Sequence, residues 1–350
     1  MGGTANMAWV QGQQTASTNG FYRSLTLDQP ASDLTDFPVL FYGTFTYLKT
    51  TGNGGKVNNA SGYDIVFYSD VALTTKLKFE RVSWDGATGD VEFWVKVPTL
   101  TSASALVIYL AYGNTTISTD QQDKNGTWNT NFISVWHMDD ASAPATDSTS
   151  NALDAAMSGT VTFGATGQIK SGTSYNNNIA NFLSLTSATF NFTSALTISG
   201  WVFSSSFISF HGILDKTIGG ATNTQYQLFL QGDVPLFRLT KSSVNTTLMA
   251  DAALSNNTWY HLVATWDGTT MKMYVNNSIQ TSTPALASPI DSGSGAIFIG
   301  QLGSSVFPFN GTIDELRVAN TGRNADWVAA EYSNQNDPAN FYAIGSEANV

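Results

Sequence analysis

Cysteine is absent from the 350 residues, which excludes disulfides, thiol catalysis and Cys-ligated zinc. Charge is scarce too: Asp, Glu, Lys and Arg make up 12%, about half the roughly 25% share of soluble chains. Glutamate occurs only five times, at Glu80, Glu92, Glu315, Glu331 and Glu347, so strong helix formers are few. Basic runs are missing. With a net charge of −11 and a pI near 4.5, this argues against nucleic-acid binding, which needs clustered Lys and Arg, and against attraction to anionic membranes. Long apolar runs are missing as well; residues 106–112 suit a strand and fall far short of a membrane span. The opening MGGTANMAWVQGQQ has neither a basic n-region nor an apolar core, so no signal peptide is expected there. Secreted eukaryotic domains of this size usually carry bridges, so a bacterial or viral source is favoured.

What remains is 42% apolar residues with nine Trp, enough to bury a large core, set among Thr, Asn and Gly turn residues. This composition predicts an all-β chain. The length suggests two domains. Residues 1–19 read as an arm. Residues 20–114 read as a first β-sandwich of about seven strands, with a hairpin pairing 77–84 with 91–97. In its return strand Val91, Phe93, Val95 and Val97 face one way, and Glu92, Trp94 and Lys96 the other. Polar residues 115–131 read as a linker. Residues 132–346 carry short alternating strands without helical patterns between them, the mark of a second, jelly-roll-like sandwich. One short C-terminal helix is expected at 324–334, capped by Asn324, with Val328 and Tyr332 on one face.

Candidate chemistry is sparse. His137, His211 and His261 show no metal-ligand spacing, and His137 and His261 read as half-buried, hydrogen-bonded strand residues. A glycosidase needs two carboxylates about 5–9 Å apart on one face. Asp314 and Glu315 are adjacent, as are Asp139 and Asp140, so on regular strands each pair splits between faces. No catalytic residues are assigned. Sugars stack on aromatic rings. Phe207, Phe210, Phe307 and Phe309 fall in loop-like segments and are the candidates for a binding rim; the remaining ligand-binding residues are unassigned.

The runs 135–139 (VWHMD), 147–151 (DSTSN), 258–268 (TWYHLVATWDG), 273–276 (MYVN) and 309–318 (FNGTIDELRV) resemble the laminin-G-like, concanavalin-A-like jelly-roll family over about residues 130–346. Residues 36–39, 63–65, 95–98 and 108–114 resemble a bacterial β-rich domain of unknown function that precedes such modules. The resemblance implies a non-catalytic surface protein recognising glycans or another surface polymer, outside a cell or on a virion. Alternatives are a phage capsid or tail component without a glycan ligand, and a polysaccharide-acting enzyme. It also implies a structural Ca²⁺ held by Asp147 and Asp314, with Asp139 as a further ligand. Neither nucleic acid nor membrane insertion is expected.

Overall fold

The computed structural model describes residues 20–207, 210–219, 223–303 and 307–350; the arm expected at 1–19 lies outside the described residues. The first half contributes β1 (Phe21–Leu27), β2 (Leu34–Thr44), β3 (Val66–Tyr68), β4 (Phe79–Trp84), β5 (Asp90–Leu100), β6 (Val107–Tyr112) and the one-turn helix α1 (Lys124–Thr127). There follow β7 (Phe132–Trp136), β8 (Ala156–Ser158), β9 (Thr162–Thr166), β10 (Ser171–Asn176), β11 (Phe182–Leu185), β12 (Leu196–Ser204), β13 (Phe210–Thr217) and β14 (Thr224–Gln231). Next are β15 (Val234–Lys241), β16 (Val244–Met249), β17 (Thr258–Trp266), β18 (Met271–Val275), β19 (Ser278–Ile279), β20 (Ile297–Ile299) and β21 (Asn310–Ala319). The chain closes with α2 (Ala325–Asn336), α3 (Pro338–Phe341), β22 (Tyr342–Ile344) and β23 (Ala348–Asn349).

Two β-sandwiches result, as the composition predicts. In the first, β2-β5-β4 faces β22-β1-β6-β3, with β23 also on β1. In the second, an eight-stranded sheet (β19-β18-β17-β12-β21-β10-β9, with β7 on β21) faces a seven-stranded one (β16-β15-β14-β13-β20-β11-β8). Strand alternation decides what each sheet buries. Val91, Phe93, Val95 and Val97 fill the first core with Leu25, Ile108 and Leu110. Ile198, Val202, Leu262, Leu316 and Val318 meet Tyr226, Leu228, Phe237 and Leu239 in the second. The opposite face of β5 does not meet water: Glu92 and Trp94 are buried, and Trp94 lies under the Arg317 guanidinium of β21, 4.2 Å away. The β2-β5-β4 sheet and the eight-stranded sheet therefore form a joint, with α2 wedged into it. Asn324 caps α2 by accepting the Trp327 amide at 2.9 Å. Trp327 packs edge-on to Phe37 of the first sandwich at 5.0 Å, while Val328 packs with Val263 and Tyr274 of the second. Tyr332 stacks on Trp201 at 5.8 Å.

The division along the chain differs from the sequence reading in two places. Residues 115–131 are packed rather than a free linker: Asp120 pairs with Arg81 at 3.0 Å, and Trp128 is buried with its indole on Glu80 at 2.7 Å. The last residues assigned to 132–346 belong to the first sandwich, since β22 pairs with β1 through Leu25↔Ile344 to Leu27↔Tyr342. The reason is the free edge of β1, whose backbone groups need a partner opposite β6.

Candidate functional site

The outer face of the seven-stranded sheet carries a groove. Strand alternation sends Tyr226, Leu228 and Leu230 into the core and Gln227 and Phe229 outward. Phe229, Leu236 and Leu302 make a small apolar floor there, with Phe210 packed against it. The Phe307 ring stands 4.9 Å from that of Phe210 and is 42% exposed. The Gln301–Leu302 segment can lie flat on β13 because Gly212 has no side chain: a Cβ there would sit 2.1 Å from the Gln301 carbonyl carbon. The Gly212 amide donates to the Phe307 carbonyl at 3.0 Å, and Phe307 itself is held at φ 51°. Arg238 covers Phe229 at 4.8 Å and donates to Gln227 at 3.2 Å. Asp215 accepts the Gly303 amide at 2.7 Å and the Thr224 hydroxyl at 3.2 Å. Burial pushes the Asp215 carboxyl up to about 6. These groups enclose a cavity of about 360 Å³. It shares Thr224 and Asn245 with a second cavity of about 460 Å³ lined by Asn223, Thr240, Ser243 and Asp291. The Ser242 and Ser243 amides both donate to Asp291 at 2.7 Å. The groove thus runs from aromatic to polar.

Two of the four expected rim residues, Phe210 and Phe307, line this groove. Phe207 and Phe309 instead belong to the second core. Their positions follow from the strands: β21 starts at Asn310, directly after Phe309, and its inward face continues the core.

At the joint, acid–base groups are concentrated. His137, immediately after β7, places Nδ1 2.7 Å from Glu315 Oε1 and Nε2 3.4 Å from Glu80 Oε2. Arg317 donates to Glu315 Oε2 at 2.7 Å and to Glu331 at 3.3 Å. Burial opposes charge on His137, but Glu315 and Glu80 outweigh it and hold the imidazole well above its usual range. Burial and the Glu315 charge push Glu92 up to about 8. Asp314 is raised by burial and by Glu315, and its Oδ1 has no hydrogen-bond partner among the described residues. Regular alternation would separate Asp314 from Glu315. Glu315 instead adopts φ 50°, and the β12–β21 register slips between Ser199 and Trp201, so both acids turn inward. His261 departs from the sequence reading: it is wholly buried beside Trp201, with neither ring nitrogen hydrogen-bonded among the described residues.

The three expected calcium ligands have different protein surroundings. Asp147 Oδ1 accepts the Val135 and Thr149 amides, and Oδ2 accepts the Thr149 hydroxyl and the Leu153 amide, all at 2.8–2.9 Å. That is turn chemistry that engages both Asp147 oxygens. Asp314 accepts the Ile169 amide at 2.8 Å. Asp139 lines a cleft of about 340 Å³ with Glu80, Asp140 and Ser148. Sequence reasoning missed Glu80, Glu92 and Arg317. The available signal was the rarity of glutamate: Glu80, Glu92, Glu315 and Glu331 are all buried at the joint.

Residues 176–329 match the concanavalin A-like lectin/glucanases superfamily, and residues 61–152 match a domain of unknown function (DUF2341). The two matches follow one another along the chain in the order that the sequence resemblance implies. Glu80, Glu92 and His137 fall in the upstream match, and Glu315 and Arg317 in the other. Among solved structures, the binding domain of botulinum neurotoxin serotype G is similar over 58% of this chain and 50% of its own, at 15% identity and a TM-score of 0.47. The binding domain of Paraclostridial Mosquitocidal Protein 1 is similar over 58% and 52%, at 13% identity and a TM-score of 0.47. The receptor binding domain of botulinum neurotoxin D is similar over 59% and 53%, at 12% identity and a TM-score of 0.47. The chain spans about half the length of these solved chains. No curated protein matches the sequence. Among the described residues, no helix is long and apolar enough to cross a membrane.

Proposed function

We propose that the chain is a non-catalytic binding protein that works outside the cell and recognises a glycan in the groove on the seven-stranded sheet. The observation that carries this reading is the Phe210–Phe307 pair standing over a cavity that continues into a polar trough. Sugar rings offer an apolar C–H face and a hydroxyl edge. Phenyl rings match the first; Arg238, Gln227, Asn245 and Thr224 match the second. The two contiguous cavities suit an oligosaccharide rather than a single ring. The carboxylates in the groove are engaged by the protein's own amides, Asp215 by Gly303 and Asp291 by Ser242 and Ser243. This commitment favours binding over a glycosidase-type acid and base.

The test is a glycan array probed with wild type and Phe307→Ala, followed by titration calorimetry on the best ligand. Phe307→Ala is expected to weaken binding at least tenfold while leaving the fold unchanged, as central aromatic anchors do. Arg238→Ala is expected to weaken it further. A ligand bound equally well by wild type and both variants, or an array and polysaccharide panel without any binder, would overturn the reading.

A further inference from the structure

We propose that the joint between the sandwiches holds a first-row divalent cation, ligated by Glu92 of the first sandwich and by His137 and Glu315 of the second. The three come from β5, from the end of β7 and from β21, far apart in sequence. One donor atom from each lies within 4.8 Å of the others, and all three residues are buried. Donors on one zinc-sized ion stand about 3–4 Å apart, so a contraction of about 1 Å closes the set.

The surroundings orient these donors. Glu80 is pinned by the Trp128 indole at 2.7 Å and the Ser148 hydroxyl at 2.8 Å, and it faces His137 Nε2. A carboxylate holding one imidazole N–H is the usual outer partner of a metal-bound histidine. Metal binding displaces the proton that Nδ1 now shares with Glu315 Oε1 at 2.7 Å, and Nδ1 becomes the donor. Arg317 occupies Glu315 Oε2, so Oε1, which now pairs with His137 Nδ1, is the oxygen that turns to the ion. Trp94 and Trp128 flank the imidazole at 5.9 and 5.7 Å.

A second, independent observation is the charge balance. Glu80, Glu92, Asp314, Glu315 and Glu331 are buried here; Arg317 is the buried fixed cation, Lys124 reaches Glu80 from the edge at 3.7 Å, and His137 gives up its proton on binding. Asp314, next to Glu315 in β21, has a buried carboxylate oxygen without a hydrogen-bond partner among the described residues. Buried carboxylates need a proton, a donor or a cation. A divalent ion takes the place of the protons these groups otherwise hold. The nitrogen donor selects the ion: imidazole with carboxylates suits Zn²⁺ or Mn²⁺, whereas Ca²⁺ takes oxygen ligands. The role is structural, a staple between two sandwiches, since all three donor residues are buried.

The test uses the full chain, stripped with chelator and dialysed against Zn²⁺, Mn²⁺ or Ca²⁺. Elemental analysis is expected to give one Zn²⁺ or Mn²⁺ per chain, with Tm raised by about 5 °C in excess metal. Glu92→Gln and His137→Gln are each expected to lose the ion. A measurement on wild type guards against variants that fail to fold. One equivalent of Mn²⁺ should broaden the Trp94 and Trp128 indole signals most strongly among the tryptophans. Uniform or absent broadening, equal metal content in wild type and variants, or binding of Ca²⁺ alone would each overturn the assignment.

Discussion

Asn334 of α2 serves both ends of the Leu40 residue: its Oδ1 accepts the Leu40 N–H at 2.6 Å, and its Nδ2 donates to the Leu40 carbonyl at 3.1 Å. β2 is an edge of its three-stranded sheet, and the joint buries that edge. A buried edge must have its backbone groups met, and a side-chain amide carries the donor and acceptor of a neighbouring strand. Asn334→Ala leaves both Leu40 groups unpaired. The expected cost is about 2–4 kcal/mol, or a Tm lower by about 5–10 °C. Thermal melting measures it, and a variant within about 1 °C of wild type would remove Asn334 from this role.

The same helix makes the two sandwiches one folding unit. Removing everything after Ala319 deletes α2, β22 and β23, exposes Phe37 where Trp327 packs, and frees the second edge of β1. The full chain is expected to melt in a single calorimetric transition. A chain ending at Ala319 is expected to lose the cooperative transition of the first sandwich and its near-UV aromatic signal. Two well-separated transitions in the full chain would contradict this.

Much of the fold was legible because strand period and turn chemistry are local. The opposition of Val91, Phe93 and Val95 to Glu92 and Trp94 is written in β5, and so is the Asn324 cap of α2. What that alternation does not say is whether the second face meets water or another sheet. Glu92 reads as a solvent-facing charge until the packing of β21 buries it. Glu315 was illegible for a different reason. Its left-handed backbone breaks the period on which the face assignment rests, and no glycine marks position 315. The groove was half legible: Phe210 and Phe307 stand out as aromatics outside regular patterns, but Phe229 reads as one more core residue of β14 until Arg238 is placed over it.

Asp147 gathers Val135, Thr149 and Leu153 into one clasp that fixes the loop after β7. Asp147→Ala strips the acceptor from three buried or half-buried amides at once. We expect a loss of about 3–5 kcal/mol, seen as a lower urea midpoint. Since the carboxylate works through hydrogen bonds, the gap between wild type and variant should be the same with calcium and with chelator. A gap that closes on adding chelator would restore Asp147 as a calcium ligand.

The groove has its own pH signature. Asp215 is buried, and its folded carboxyl titrates at about 6, against an ordinary value of 3.8. Between those values the native state holds a proton that the unfolded chain has released. Unfolding then releases that proton, so stability must fall as pH rises from about 4 to about 6 and level off above. This is the reverse of a salt-bridged carboxylate, because here burial outweighs the donors that favour charge. The change is worth up to about 3 kcal/mol. Asp215→Asn keeps the shape and an acceptor for the Gly303 amide but has no proton to lose. Relative to wild type, the variant is therefore expected to gain stability by that amount between pH 4 and pH 7. Urea denaturation of both proteins across this range checks the sign as well as the size. Parallel stability curves would mean that Asp215 titrates alike in the folded and unfolded chain. A wild type that gains on the variant with rising pH would mean that its hydrogen bonds, rather than its burial, dominate.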